Sequence, residues 1–110
     1  MSKQAIVFGG SGFLGSHVVE ELSKKDYKVT VFDRRPSPYL TSDQSMIIGD
    51  LLDKDHVKTA MKGQDVVYHF AGLSDLDLAT YQPLEVVQQN IAGTVHLLSS
   101  ASETNVKRFI

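Results

Sequence analysis

The 110-residue chain contains no cysteine. That excludes a disulfide framework and any thiolate metal site. It has no block of positive charge, and its net charge is −2, so nothing offers a nucleic-acid backbone a partner. It has no long apolar run either. The N-terminal MSKQAIVFGG carries only a short one, broken by glycine, too brief for a signal peptide or a membrane span. Cytoplasm is the expected location, with neither nucleic acid nor membrane as partner. The Gly-Lys-Ser/Thr of a P-loop occurs nowhere, and Gly9-Gly10-Ser11-Gly12-Phe13 misses the G-x-S-x-G of a nucleophile elbow by one position. His17, His56, His69 and His96 lack metal-ligand spacing, so structural or surface roles are expected of them. No repeat, low-complexity tract or linker divides the chain. What remains, at 42% hydrophobic and 22% charged, is the composition of one ordinary globular domain. A chain of this length buries roughly 60–70% of the surface its unfolded form exposes.

The apolar residues that are present fall in order. Ala5-Ile6-Val7-Phe8 is a continuous run suited to a strand buried on both faces. Leu14, Val18 and Leu22 recur every four residues, one face of a helix. Val29 to Phe32 and Met46 to Ile48 read as strands, and RRPSPYLTSDQ between them, with two prolines, reads as a loop. Lys54 to Met61 reads as a short helix capped by Asp53. Val66 to Phe70 is a fourth strand. From Pro83, Leu84, Val87, Ile91, Val95 and Leu98 fall on one stripe of a long helix, and Arg108-Phe109-Ile110 begins a fifth strand. Strands alternating with helices predict an α/β fold with a parallel sheet.

Between the first strand and first helix lies FGGSGFLG. Glycines 10, 12 and 15 make G-x-G-x-x-G; glycines 9, 12 and 15 make a spacing one residue longer. Either suits a turn that brings backbone close to a pyrophosphate at a helix N-terminus. A plain strand-to-helix turn is the simpler alternative. Asp33 ends the second strand, 18 residues after Gly15, where a carboxylate accepts from adenosine ribose hydroxyls and repels a 2′-phosphate. NAD is therefore expected over NADP, although Arg34 and Arg35 beside it are able to hold such a phosphate.

The ordered set FGGSGFLGSH, GDLLD, VVYHFAGLSD, Pro83 with NIAGTVHLL, and NVKRFI resembles the extended short-chain dehydrogenase/reductase family, the NAD-dependent epimerases and dehydratases of nucleotide sugars. The resemblance spans essentially the whole chain and selects the longer glycine spacing. It implies a Rossmann-type doubly wound parallel sheet over residues 1–110, truncated at the start of the fifth strand. It further implies a nucleotide-sugar substrate and a homodimer for the intact protein. Carried across, Gly9, Gly12 and Gly15 shape the turn, and the Phe13 and Leu14 amides face the pyrophosphate. Asp33, with Arg34 beside it, takes the ribose. Asp50 and Leu51 flank the adenine, and Phe70, Ala71 and Gly72 lie along the cofactor, with Asn90 beneath.

Other readings stand beside these. Asp50 could cap the next helix, Asn90 could be a buried polar group, Phe70 could belong to the core, and Asp75 and Asp77 read as solvated. UDP-galactose 4-epimerases carry lysine where Ser74 stands, which weakens that specific assignment. The family's Tyr-x-x-x-Lys is absent, since none of Tyr27, Tyr39, Tyr68 and Tyr81 has lysine four residues on. No catalytic and no metal-binding residue is therefore expected within this chain, which reads as the cofactor-binding portion of a longer enzyme. A non-catalytic NAD(P) sensor of the same fold, or a related ketone or sterol reductase, are the alternatives.

Overall fold

A computed structural model of the protein describes residues 3–72 and 80–110. Ser74, Asp75 and Asp77 lie outside them. Strand β1 (Gln4–Phe8) leads through the glycine turn into helix α1 (Phe13–Lys24), then β2 (Lys28–Asp33) and β3 (Ser45–Ile48). Helix α2 (Lys54–Met61) precedes β4 (Val66–His69). One continuous helix follows, made of α3 (Pro83–Val87), a wider π-helical stretch (Gln88–Ala92) and α4 (Gly93–Glu103), and β5 (Arg108–Phe109) comes last. The strands form a single sheet in the order β3-β2-β1-β4-β5, every pairing parallel. This is a Rossmann-type α/β fold.

The run Ala5-Ile6-Val7-Phe8 explains why β1 is central. Successive side chains point to opposite faces, and both faces are buried. Ile6 and Phe8 join Phe32, Val57, Met61 and Leu97 under α2 and α4. Ala5 and Val7 join Val19, Leu22, Val29 and Val31 under α1. The register puts Phe8 opposite both Phe32 and His69, so β1, β2 and β4 end level. Gly9, Asp33 and Phe70 thereby emerge side by side at the point where strand order reverses, the place such sheets reserve for ligands.

The two candidate caps separate cleanly. Asp53 caps α2, its carboxylate accepting from the His56 N–H at 3.2 Å. Asp50 instead accepts from the Leu52 N–H at 2.9 Å, closing the turn before the helix.

The long helix holds the main surprise. Its apolar stripe exists but faces outward: Leu84 is 69% exposed and Ile91 60%, with Val87, Val95 and Leu98 also exposed. The side packed on the sheet carries Gln89, Gly93, Leu97 and Ser100. The reason is proximity. A Cβ on Gly93 would stand 3.0 Å from the Leu51 side chain of the turn after β3, so at this point the inner face of the helix has no room for a large residue.

Candidate cofactor-binding cleft

Four glycines crowd the turn after β1, and they are not equivalent. Gly9 has φ of 85°, and a Cβ there would fall 2.5 Å from the Ala71 backbone nitrogen. On Gly10 it would meet Val31 Cγ1 at 2.8 Å, and on Gly15 it would overlap the Gly9 carbonyl oxygen. Both Gly9 and Gly10 are thus required by the fold, whichever spacing is counted. Gly12 differs: its Cβ would meet only the Gly9 oxygen, at an ordinary 3.5 Å. Nothing inside the protein demands glycine there. It borders the cleft instead.

Helix α1 starts at this turn with Gly12 as its N-cap, without a side-chain cap and without an acidic residue in the first turn. Its first N–H groups, those of Phe13 and Leu14 among them, have no intrahelical acceptor. The positive end of the dipole adds to them. Contrast α2, capped by Asp53 and carrying Asp55 in its first turn. An uncapped helix start beside an open glycine fits a phosphate oxygen as acceptor, and this is the sense in which the residues suit a dinucleotide.

Asp33 ties the turn to the end of β2. Its Oδ2 accepts the Ser11 N–H at 3.0 Å and its Oδ1 the Arg35 N–H at 3.2 Å. The Ser11 hydroxyl in turn donates to the Arg35 carbonyl at 2.7 Å. Each carboxylate oxygen has a second lone pair, which leaves acceptor capacity for two ribose hydroxyls. Across the cleft, Arg34 Nη1 lies 3.6 Å from Glu85 Oε1 of α3, and Gln89 Nε2 donates to Asp50 Oδ1 at 3.2 Å. The Leu52 N–H above all holds the Asp50 carboxyl below its ordinary range; burial, the next largest effect, opposes it, and Gln89 and the Arg34 charge add to the lowering.

On the β4 side, the Phe70 N–H donates to the Phe8 carbonyl at 2.8 Å. The Phe70 ring stacks on Tyr68 with centroids 6.3 Å apart and packs on the core under α1. Its ring thus belongs partly to the core, while the residue also lines the cleft. Asn90 stands against Gly72, its Oδ1 2.9 Å from where a Cβ would be. It is exposed, not a buried polar residue.

Eight of the twelve residues named from sequence line one cleft of about 800 Å3: Gly9, Gly12, Asp33, Arg34, Leu51, Phe70, Ala71 and Gly72. Phe13, Leu14, Gly15 and Asp50 do not. The Phe13 side chain is 83% exposed and turns toward a second hollow of about 420 Å3 shared with His17 and Tyr39. Leu14 is exposed, Gly15 is buried behind the turn, and Asp50 reaches the wall only through Gln89. Ser11, Glu85 and Gln89 also line the cleft and were missed. The last two were findable, since residues 85, 89, 93 and 97 fall four apart on one helix face.

The histidines stand apart from the cleft lining. The Thr94 hydroxyl donates to the Asn90 carbonyl at 2.7 Å and so accepts from His69 Nε2 at 2.8 Å. His69 Nδ1 is buried without a partner among the described residues, and burial pushes the His69 pKa down. His96 Nδ1 donates to the Leu51 carbonyl at 2.8 Å. His56 meets the Phe32 ring and His17 the Phe13 ring. No group of three His, Cys, Asp or Glu able to hold a metal occurs among the described residues. No helix among them is long and apolar enough to cross a membrane.

Comparison with known proteins completes the picture. A UDP-N-acetyl-alpha-D-glucosaminuronate decarboxylase of Bacillus cytotoxicus is 33% identical over 92% of this chain and 33% of its own length. A 3-beta-hydroxysteroid dehydrogenase of Mycolicibacterium neoaurum is 32% identical over 97% of the chain and 31% of its own. Among solved structures, MoeE5 in complex with UDP-glucose and NAD superposes with a TM-score of 0.86 at 30% identity, covering 96% of this chain and 34% of that one. The chain therefore spans about a third of the length of these relatives. Residues 5–110 match the model of the NAD dependent epimerase/dehydratase family. With sequence, sheet order and glycine turn in agreement, the chain belongs to the NAD-dependent epimerase/dehydratase family.

Proposed function

We propose that residues 1–110 form the NAD-binding portion of an enzyme acting on a nucleotide sugar. The observation that carries this reading is Gly12, a glycine that the fold itself does not require, at an uncapped helix start on the rim of the cleft. In this reading the pyrophosphate lies over Gly9 and Gly12, against the Phe13 and Leu14 amides, with Gly15 packed behind the turn. Asp33 holds the adenosine ribose, with the Arg34 side chain drawn toward Glu85. Leu51 flanks the adenine, with Asp50 behind the wall holding Gln89, while Phe70, Ala71 and Gly72 line the path toward the nicotinamide. Bound NAD supplies a hydride acceptor. The acid/base group that moves the sugar hydroxyl's proton comes from outside residues 1–110, which hold no Tyr-x-x-x-Lys. The compartment implied is the cytoplasm, where NAD and nucleotide sugars are supplied.

A second reading, an NAD-dependent steroid dehydrogenase, is supported by the Mycolicibacterium relative. Substrate panels separate the two. Calorimetric titration of the full-length protein tests the cofactor. NAD is expected to bind more tightly than NADP, and Asp33→Ala to weaken NAD by about 1–3 kcal/mol while narrowing that preference. Part of that loss reflects the Ser11 and Arg35 N–H groups released. Turnover of UDP-sugars is expected, with 3β-hydroxysteroids inert. Tighter NADP binding, or turnover of steroids alone, overturns the assignment.

The same reading has two copies pairing through the outward stripe of α3 and α4. Leu84, Val87, Ile91, Val95 and Leu98 are all exposed and recur about every 3.5 residues, the spacing of a seam between two helices. Sedimentation of the full-length protein at micromolar concentration is expected to give a dimer, and a monomer would dismiss this pairing.

A further inference from the structure

Asp33 is followed by two guanidinium groups, and the structure treats them differently. Arg34 and Arg35 both line the cleft. Arginine forks are the natural partners of phosphate oxygens. Two of them together, beside the ribose carboxylate, would offset its repulsion of a 2′-phosphate. Yet Arg34 is drawn to the far wall, where its Nη1 lies 3.6 Å from Glu85 Oε1 and its charge also acts on Asp50. The backbone N–H of Arg35 is held by Asp33, and its guanidinium has no ion pair among the described residues.

We propose that Glu85 sets the cofactor preference by holding Arg34 away from the 2′ position of the adenosine ribose, so that no two-arginine clamp forms there. The inference rests on the cofactor reading above and adds to it a residue of the long helix. Glu85 is a positioning residue: it acts on the 2′ position through Arg34. The Arg34–Glu85 pair is half exposed on both sides, and such pairs contribute little to folding. Its consequence is where the arginine points. Glu85→Gln keeps the shape and removes the charge. Arg34 is then released from the far wall and can join Arg35 on a 2′-phosphate.

The test is a set of titrations on the full-length protein with NAD, NADP, adenosine 5′-monophosphate and adenosine 2′,5′-bisphosphate. The two mononucleotides read the adenosine half of the cleft alone. In Glu85→Gln the affinity ratio of NADP to NAD, and of the bisphosphate to the monophosphate, is expected to rise about two- to fivefold, the range that release from a half-exposed ion pair allows. The gain should vanish in the Glu85→Gln/Arg34→Ala double variant and shrink as salt is raised. A generally loosened cleft would lower all four affinities together and leave the ratios where they were. Unchanged ratios, or a gain that survives without Arg34, overturn the role of Glu85 while NAD binding by the unmutated protein leaves the cofactor reading standing. If the unmutated protein binds neither dinucleotide, the cofactor reading fails and this inference fails with it.

Discussion

Gly12→Val lowers the affinity of the full-length protein for NAD by at least about a hundredfold, or roughly 2.7 kcal/mol, while the fold persists. The two halves of this expectation have separate causes. Gly12 has φ of −79° and ψ of 177°, a conformation open to any residue. Its Cβ would meet nothing nearer than 3.5 Å. The folded protein therefore bears only the cost of replacing glycine by a poor helix cap, about 1 kcal/mol. A thermal midpoint lower by a few degrees is the visible trace. The ligand bears far more. A branched side chain at this point occupies the space where a pyrophosphate approaches the turn, and it covers N–H groups at the start of α1. Calorimetric titration beside a thermal melt separates the effects. A variant that binds NAD as the parent does would place the pyrophosphate elsewhere, and with it the whole cleft assignment.

Much of this arrangement is legible from the chain because it is local. The glycine turn, the doubly buried β1 run and the Asp53 cap with its eight-residue helix are each written within a few neighbouring positions. The α/β architecture follows from their order. Three features were not legible, each for a physical reason. The apolar stripe from Leu84 to Leu98 suggests a face turned to the core, yet close approach to Leu51 reserves the inner face for Gln89, Gly93 and Leu97. What Asp50 does was not written locally: only the path of the backbone turns its carboxylate to the Leu52 N–H and to Gln89. The bonds from Asp33 to Ser11 and from Arg34 to Glu85 join segments far apart in sequence. They exist only because the parallel register brings the strand ends level. The sequence pointed to glycines as a group; which of them serves the fold and which the ligand is a property of packing.

Gly15→Val is the counterpart, and here the fold itself is expected to bear the loss. Gly15 is the third residue of α1 and is buried, and a Cβ on it would overlap the Gly9 carbonyl oxygen and stand 2.9 Å from Gly10 Cα. That carbonyl cannot step aside. It accepts the Gly12 N–H at 3.2 Å, and the Gly9 N–H is itself fixed to the Phe32 carbonyl at 2.9 Å. Relief must come from α1 moving outward, which lifts the buried Val19 and Leu22 from Ala5, Val7 and Val31. Overpacking of this severity costs about 3–5 kcal/mol, a large part of the 5–15 kcal/mol that holds a typical domain. Gly63→Ala is the internal control. Gly63 has φ of 81° but nothing within 4 Å of its Cβ position, so the substitution carries only the left-handed backbone penalty, about 1–2 kcal/mol. Denaturant titrations of both variants in the full-length protein should therefore differ by a factor of two or more in lost stability. Equal losses would mean that α1 shifts freely on the sheet, and that the close fit of Gly15 against Gly9 does not hold the turn in place.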